Sequence, residues 1–304
     1  MLSLLAFFML AVGGLVAVAP GATAVVNTCR ARDLTQDTPV RTNLQRVIDA
    51  ASYGDKITVK RVCVGNFLID KKLFLVGVPT PTRSRAVLYG NGATTLVVSS
   101  YVRLTNLKIT GGATTGDGGG IYNIGSLTLI DTVVTGNTAA YGGGISNGGD
   151  EAHYSANLFL KGTSSVTHNT ATSDGGGIDN TTFGTFVMND SSSVTANHAD
   201  LSGGGIANHH GPMTLKGLSS VNDNTAAAFG GGIYVEGGSV AVQGGASVAA
   251  NIADSDDTNG GTGGGAYTLC TGTLTGAADG GNIHNNLRGA TAPVVDNIAN
   301  QVCA

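Results

Sequence analysis

The sequence predicts an all-β chain, a right-handed parallel β-helix solenoid with a short N-terminal capping helix, and three observations carry that prediction. The first is a repeat. Val134, Val166, Val194, Val221 and Val248 recur at intervals of 32, 28, 27 and 27 residues, and each is followed three places on by Asn137, Asn169, Asn197, Asn224 and Asn251. The second is a glycine triplet in each repeat. It runs into Ile121, Ile145, Ile178, Ile206, Ile233 and Ala266, and the residues two further on are Asn123, Asn147, Asn180, Asn208, Val235 and Thr268. The third is composition: 304 residues hold 48 Gly, no Trp, 12% charged and 41% apolar residues. That is too apolar for a disordered chain, and the glycines lack the three-residue period of collagen.

Each unit of about 27 residues holds three short strand-like pieces of period two separated by Gly, Asn, Ser and Thr, none long enough for a helix. A coil whose equivalent strands stack at about 4.8 Å meets that pattern. Inward Val and Ile pile into ladders. The Asn rows (Asn137, Asn169, Asn197, Asn224, Asn251) pass hydrogen bonds from turn to turn where the backbone bends inward.

Along the chain, residues 1–24 combine an apolar run from Leu4 to Val18, a breaker at Pro20 and the small-residue pattern Ala22-Thr23-Ala24. They read as a signal peptide cleaved after Ala24, although no Lys or Arg precedes the run. The mature chain is then expected outside the cell or on its surface, with no membrane span after cleavage. Residues 25–55 read as an N-terminal cap, in which Leu44, Val47, Ile48 and Ala51 share one helical face and Thr42 offers an N-cap. Such a helix closes the open end of a solenoid. Residues 56–270 carry the coil, and 271–304, where the pattern is lost, are expected to cap the other end. Export permits disulfides, and the four cysteines form two local pairs, Cys29 with Cys63 and Cys270 with Cys303.

The Gly-Gly-Gly-Ile and Val-x-x-Asn pairs resemble the Gly-Gly-Ala-Ile and Phe-x-x-Asn repeats of polymorphic outer-membrane proteins. They are still more similar to secreted bacterial proteins of the pectate-lyase-like right-handed β-helix, many of which open with a helix and a stretch like "LQRVIDAASYGDKITV". The likeness covers roughly residues 40–270. It implies the β-helix fold, on which lyases, hydrolases, adhesins and structural proteins are all built, so it names no single activity.

Charge is lopsided. Up to Arg103 the chain holds 12 Lys and Arg against 5 Asp, and beyond it 4 basic residues against 15 acidic ones. A basic end on an exported protein suits an anionic envelope polymer, a carbohydrate or a lipid surface, whereas the acidic remainder disfavours nucleic acid. For catalysis, a lyase resembling the pectate lyases wants an Arg or Lys beside an acidic sugar, and residues 104–287 have no Arg. A glycosidase wants two carboxylates; Asp174 and Asp179 are the candidates that share a turn. His168, His198, His209 and His210 read as polar turn positions. Two insertions break the period and are expected to stand off the coil as binding loops. The first carries Asp150, Glu151, His153 and Tyr154. The second carries Asp254, Asp256, Asp257 and Asn259, an oxygen-rich calcium candidate without EF-hand spacing. No other cofactor is implied. The expectation is an exported β-helix scaffold in adhesion, recognition or surface structure, with a carbohydrate-active enzyme as the alternative.

Overall fold

The structure, a computed structural model, describes residues 24–148, 155–255, 262–275, 283–284, 286–288, 294–295 and 298–300. It is a parallel β-solenoid in which the rows read from the sequence lie in register from turn to turn. Val134 pairs with Val166, Val166 with Val194, Val194 with Val221 and Val221 with Val248, all in one parallel sheet. Ile121, Ile145, Ile178, Ile206, Ile233 and Ala266 form a second unbroken row. All these residues are buried, and with the leucines of the strands between them they make one continuous core along the axis.

A turn uses four strand pieces, one more than the sequence predicts. In one repeat these are Ile178–Asn180, Gly184–Met188, Ser193–Thr195 and His198–Ala199. The extra piece holds two residues, too short for period two to register. Its equivalents, from Thr138–Ala139 onward, make a separate parallel sheet. The first two pieces are separated by a corner in the early turns. From Ile206–Leu215 onward they run together as ten-residue strands, Ile233–Val242 and Ala266–Thr275 being the next.

Both Asn rows behave as expected. Along the first, each side-chain Nδ2 donates to the next Oδ1, at 2.9 Å from Asn137 to Asn169, 3.0 Å to Asn197, 3.0 Å to Asn224 and 2.9 Å to Asn251. The row runs one step further than the repeat suggests, because Asn251 donates to Asn286 at 2.9 Å. Turn-to-turn pairing also continues beyond Cys270. In the backbone, Ile283 pairs with Val248, Leu287 with Ile252, and Ile298 with Ala266. Ile in place of Val and the lack of a glycine triplet hid that continuation. The second row passes from Asn123 through Asn147 and Asn180 to Asn208, each step 2.7 Å. It ends where Val235 follows, which is where the corner straightens into the long strands.

The residue before each Asn of the first row is left-handed: Gly136 has φ 64°, His168 53°, Ala196 52°, Asp223 56° and Ala250 55°. This is the inward bend, and the Asn side chain satisfies the backbone it turns in. In the glycine triplets close approach decides. A Cβ on Gly177 would stand 2.6 Å from the Gly205 carbonyl oxygen and 2.9 Å from Asn197 Nδ2 and Val194 Cγ1.

At the N-terminus, Arg30–Asp33 pairs antiparallel with Lys56–Lys60, and the helix Leu44–Ala50 covers the core end with Leu44, Val47 and Ile48. Its N-cap is Asn43, which accepts from Arg46 N–H at 3.1 Å, not Thr42, which lies one residue too early for that bond. Cys29 and Cys63 form the expected disulfide, buried beneath this cap. Closing a loop of sequence separation 34 stabilises the cap by about 4 kcal/mol on the chain-entropy account. Cys303 and the Cys270 side chain lie outside the described residues.

Candidate functional site

Outward-facing residues follow the same stacking as inward ones, so each side of the coil acquires its own chemistry. On one side lie the strands Lys56–Lys60, Leu73–Gly77, Tyr101–Thr105, Ser126–Ile130, Ala156–Lys161 and Gly184–Met188, paired in that order. These strands contain no Asp or Glu, and their charged residues are Lys56, Lys60, Arg103 and Lys161. Lys72 borders them, and Lys216 continues the Lys161 position two turns on.

The cations are seated on aromatic rings. Lys72 Nζ lies 5.6 Å from the Tyr101 ring centre and 5.7 Å from those of Tyr53 and Phe74. The Arg103 guanidinium lies 5.4 Å from Phe74, and Lys161 Nζ 5.9 Å from Phe159. Such contacts hold a cation in place without neutralising it. Among the described residues, none of these three cations has a carboxylate partner.

The strands that begin at the Ile row carry a different chemistry. Their outward row reads Tyr122, Ser146, Asp179, Ala207, Tyr234 and Tyr267. Asp179, His209 and Glu236 meet here from three successive turns. His209 Nε2 lies 3.2 Å from Asp179 Oδ1, and His209 Nδ1 contacts Glu236 Oε2. The first contact is an ion-pair distance without hydrogen-bond alignment, so Asp179 Oδ1 is buried with no hydrogen-bond partner, as is the Ser146 hydroxyl beside it. Burial opposes charge on His209, but the carboxylates of Asp179 and Glu236 outweigh it and push the imidazolium up to about 9. Burial raises Asp179 above the ordinary carboxylate range even against the help of His209. Burial, then the charges of Glu236 and Asp174, push Tyr234 up to about 12.

Tyr234 and Tyr267 stack with centres 6.0 Å apart and an interplanar angle of 5°, and Phe229 stacks on Tyr267 at 4.6 Å. The rings spend faces on one another, so this row is an outer counterpart of the inner ladders rather than an open platform.

Asp174 and Asp179, expected to face each other, are each committed elsewhere. Asp174 Oδ1 accepts the Ser202 backbone N–H at 3.0 Å and Oδ2 contacts Ser173 Oγ at 3.1 Å, while Asp179 turns to His209. His198 contacts Thr225 and Asp200, and His168 contacts Thr167, as turn positions do. His209 departs from that expectation, and Glu236 carried no expectation at all. A signal existed, since the two are separated by 27 residues, one repeat. Asp254 is described, in a left-handed turn with φ 52°. Asp256, Asp257 and Asn259 lie outside the described residues, as do Asp150, Glu151, His153 and Tyr154. Among the described residues no group of three or more His, Cys, Asp or Glu side chains is arranged to hold a metal ion, and no helix is long and apolar enough to cross a membrane.

The class that this fold defines is a parallel β-solenoid, with an acid-free basic lateral face and an Asp179–His209–Glu236 cluster on the Ile-row strands. No family model, curated protein or solved structure matches the chain.

Proposed function

We propose that the chain is an exported, non-catalytic surface scaffold that binds an anionic cell-envelope polymer along its basic lateral face. The observation that carries this is the acid-free run of stacked strands with Lys72, Arg103 and Lys161 fixed over aromatic rings. A rigid sheet spaces the charges along the axis, so a linear polyanion meets several at once, and each contact costs little ordering because the rings already restrict the side chains. Adhesion by a right-handed β-helix fits the likeness of the Gly-Gly-Gly-Ile and Val-x-x-Asn repeats to pectate-lyase-like and polymorphic outer-membrane proteins. The apolar leader at residues 4–18 fits export.

The test is equilibrium binding of the mature chain, from Val25, to immobilised anionic and neutral polysaccharides over a salt series. Binding confined to anionic polymers, falling with salt, and at least tenfold weaker in the Lys72→Glu, Arg103→Glu double variant is the expected result. Equal retention on neutral polymers, or a double variant that binds normally, would sink the proposal.

A carbohydrate-active enzyme is the second reading, favoured by the raised proton affinity of Asp179, which shares His209 with Glu236. It ranks lower because Asp179 Oδ1 is shut off from solvent and His209 has both nitrogens engaged by carboxylates. New reducing ends or unsaturated products, abolished in Asp179→Asn, would reverse that ranking.

A further inference from the structure

The N-terminal cap contains a cavity that the solenoid does not need. Arg30–Asp33 folds back on Lys56–Lys60, and a bridge between Ala31 and Arg41 closes the intervening loop over its outer side. The space left has a volume of about 340 Å³, within the range of small-molecule sites. Its wall is aliphatic: Leu34, Val40 and Val78 line it, and Leu34 and Val40 remain 39% and 49% exposed although they face a common space. Its rim is cationic, formed by Arg30, Arg32 and Lys60.

No carboxylate lines this cavity. Arg32 reaches Asp37, whose side chain is 85% exposed, so that pair is weak and displaceable. Its Nε–H, by contrast, is buried without an acceptor. Among the described residues Arg30 and Lys60 have no ion-pair partner. An aliphatic wall left wet, three cations converging on it and a buried guanidinium donor without an acceptor are together complementary to one kind of molecule. It has an apolar tail and a single anionic head.

We infer that this cavity binds a small amphipathic anion, a monocarboxylate on an aliphatic chain, with the tail against Leu34, Val40 and Val78 and the head among Arg30, Arg32 and Lys60. The walls are preformed, since the two strands are paired in full register and the Cys29–Cys63 disulfide anchors the residue next to Arg30. The cavity adjoins the basic face and shares Lys60 with it, but its occupant meets Arg30, Arg32 and the aliphatic wall rather than Lys72, Arg103 and Lys161.

The experiment is calorimetric titration of the mature chain with decanoate, with decanol (the same tail without charge) and with acetate (the same charge without tail). Decanoate should bind, with decanol and acetate each at least tenfold weaker. Arg30→Glu with Lys60→Glu should weaken decanoate at least tenfold and leave decanol unchanged, whereas Val40→Glu, in the exposed loop, should weaken both. Far-UV circular dichroism establishes that each variant is folded. Equal affinity for decanol and decanoate would overturn the assignment of the cationic rim. Saturable binding of acetate as tight as that of decanoate would overturn the assignment of the tail. Retention only on anionic vesicles, with no uptake of monomeric decanoate, would overturn the cavity in favour of a membrane-docking surface.

Discussion

Replacing Asn197 tests the ladder on which the coil depends. Its side chain is buried and makes four hydrogen bonds: Oδ1 accepts Asn169 N–H and Asn169 Nδ2 at 3.0 Å each, and Nδ2 donates to Val166 O and Asn224 Oδ1 at 3.0 Å each. In Asn197→Ala the buried Asn169 N–H loses the acceptor this side chain supplied. The other partners suffer less, because Asn169 Nδ2 retains Val134 O and Thr167 O, and Asn224 Oδ1 retains the Asn197 backbone N–H. An orphaned donor at about 2 kcal/mol and the remaining losses at about 2 kcal/mol together give a destabilisation of about 4 kcal/mol. Asn197→Asp should be worse at neutral pH, since a carboxylate would face the acceptors Val166 O and Asn224 Oδ1. Its folded-state pKa would be raised, so the extra penalty is absent below the unfolded value near 4 and grows as pH rises above it. The assay is urea unfolding followed by far-UV circular dichroism at pH 4.5 and pH 7.5. A cost for the alanine variant below about 1 kcal/mol, or an aspartate variant no worse than alanine at pH 7.5, would refute the role of the Asn row in satisfying the inward bend.

Gly177→Ala should cost about 3 kcal/mol, because its Cβ would press on backbone and on the Asn197 and Val194 side chains. Gly116→Ala, whose nearest neighbour would stand 3.7 Å away, should be close to neutral in the same unfolding assay. A folded pKa near 9 for His209 means that its pairing with Asp179 and Glu236 contributes fully below about pH 6.5 and is lost as pH rises through 9. The loss is at most about 3 kcal/mol. Thermal melts between pH 6 and pH 10 should show this decline, and His209→Gln should flatten it.

Much of the architecture was legible because a solenoid repeats its local environment. A position that faces inward on one turn faces inward on the next, so Val194 and Ile206 announce their rows by spacing alone. The Asn rows were legible for the same reason, since a buried amide at a bend is satisfied by its own copy above and below. Asn286 was missed because Ile283 stands where the row has Val and the step from Asn251 is 35 residues, longer than the repeat. The short strands such as His198–Ala199 were missed because two residues cannot show a period.

The sites were less legible, for a physical reason visible in His209. Where the Ile206–Leu215 strand pairs with Ile233–Val242 the register shifts on both sides of His209. That shift brings its ring between Glu236, one repeat away, and Asp179, which the repeat spacing does not align with it. Lys72 likewise gathers Tyr53, Phe74 and Tyr101 from a loop and two different turns, and only the coil's closure brings them together. The N-terminal cavity depends on an antiparallel strand returning from outside the repeat. The sequence by itself determined the fold, the inward rows and the helix that caps them, because those depend on residue type at a fixed period. The tertiary structure alone decided which outward side chains meet, because contacts between turns depend on register, bulges and the path of segments that do not repeat.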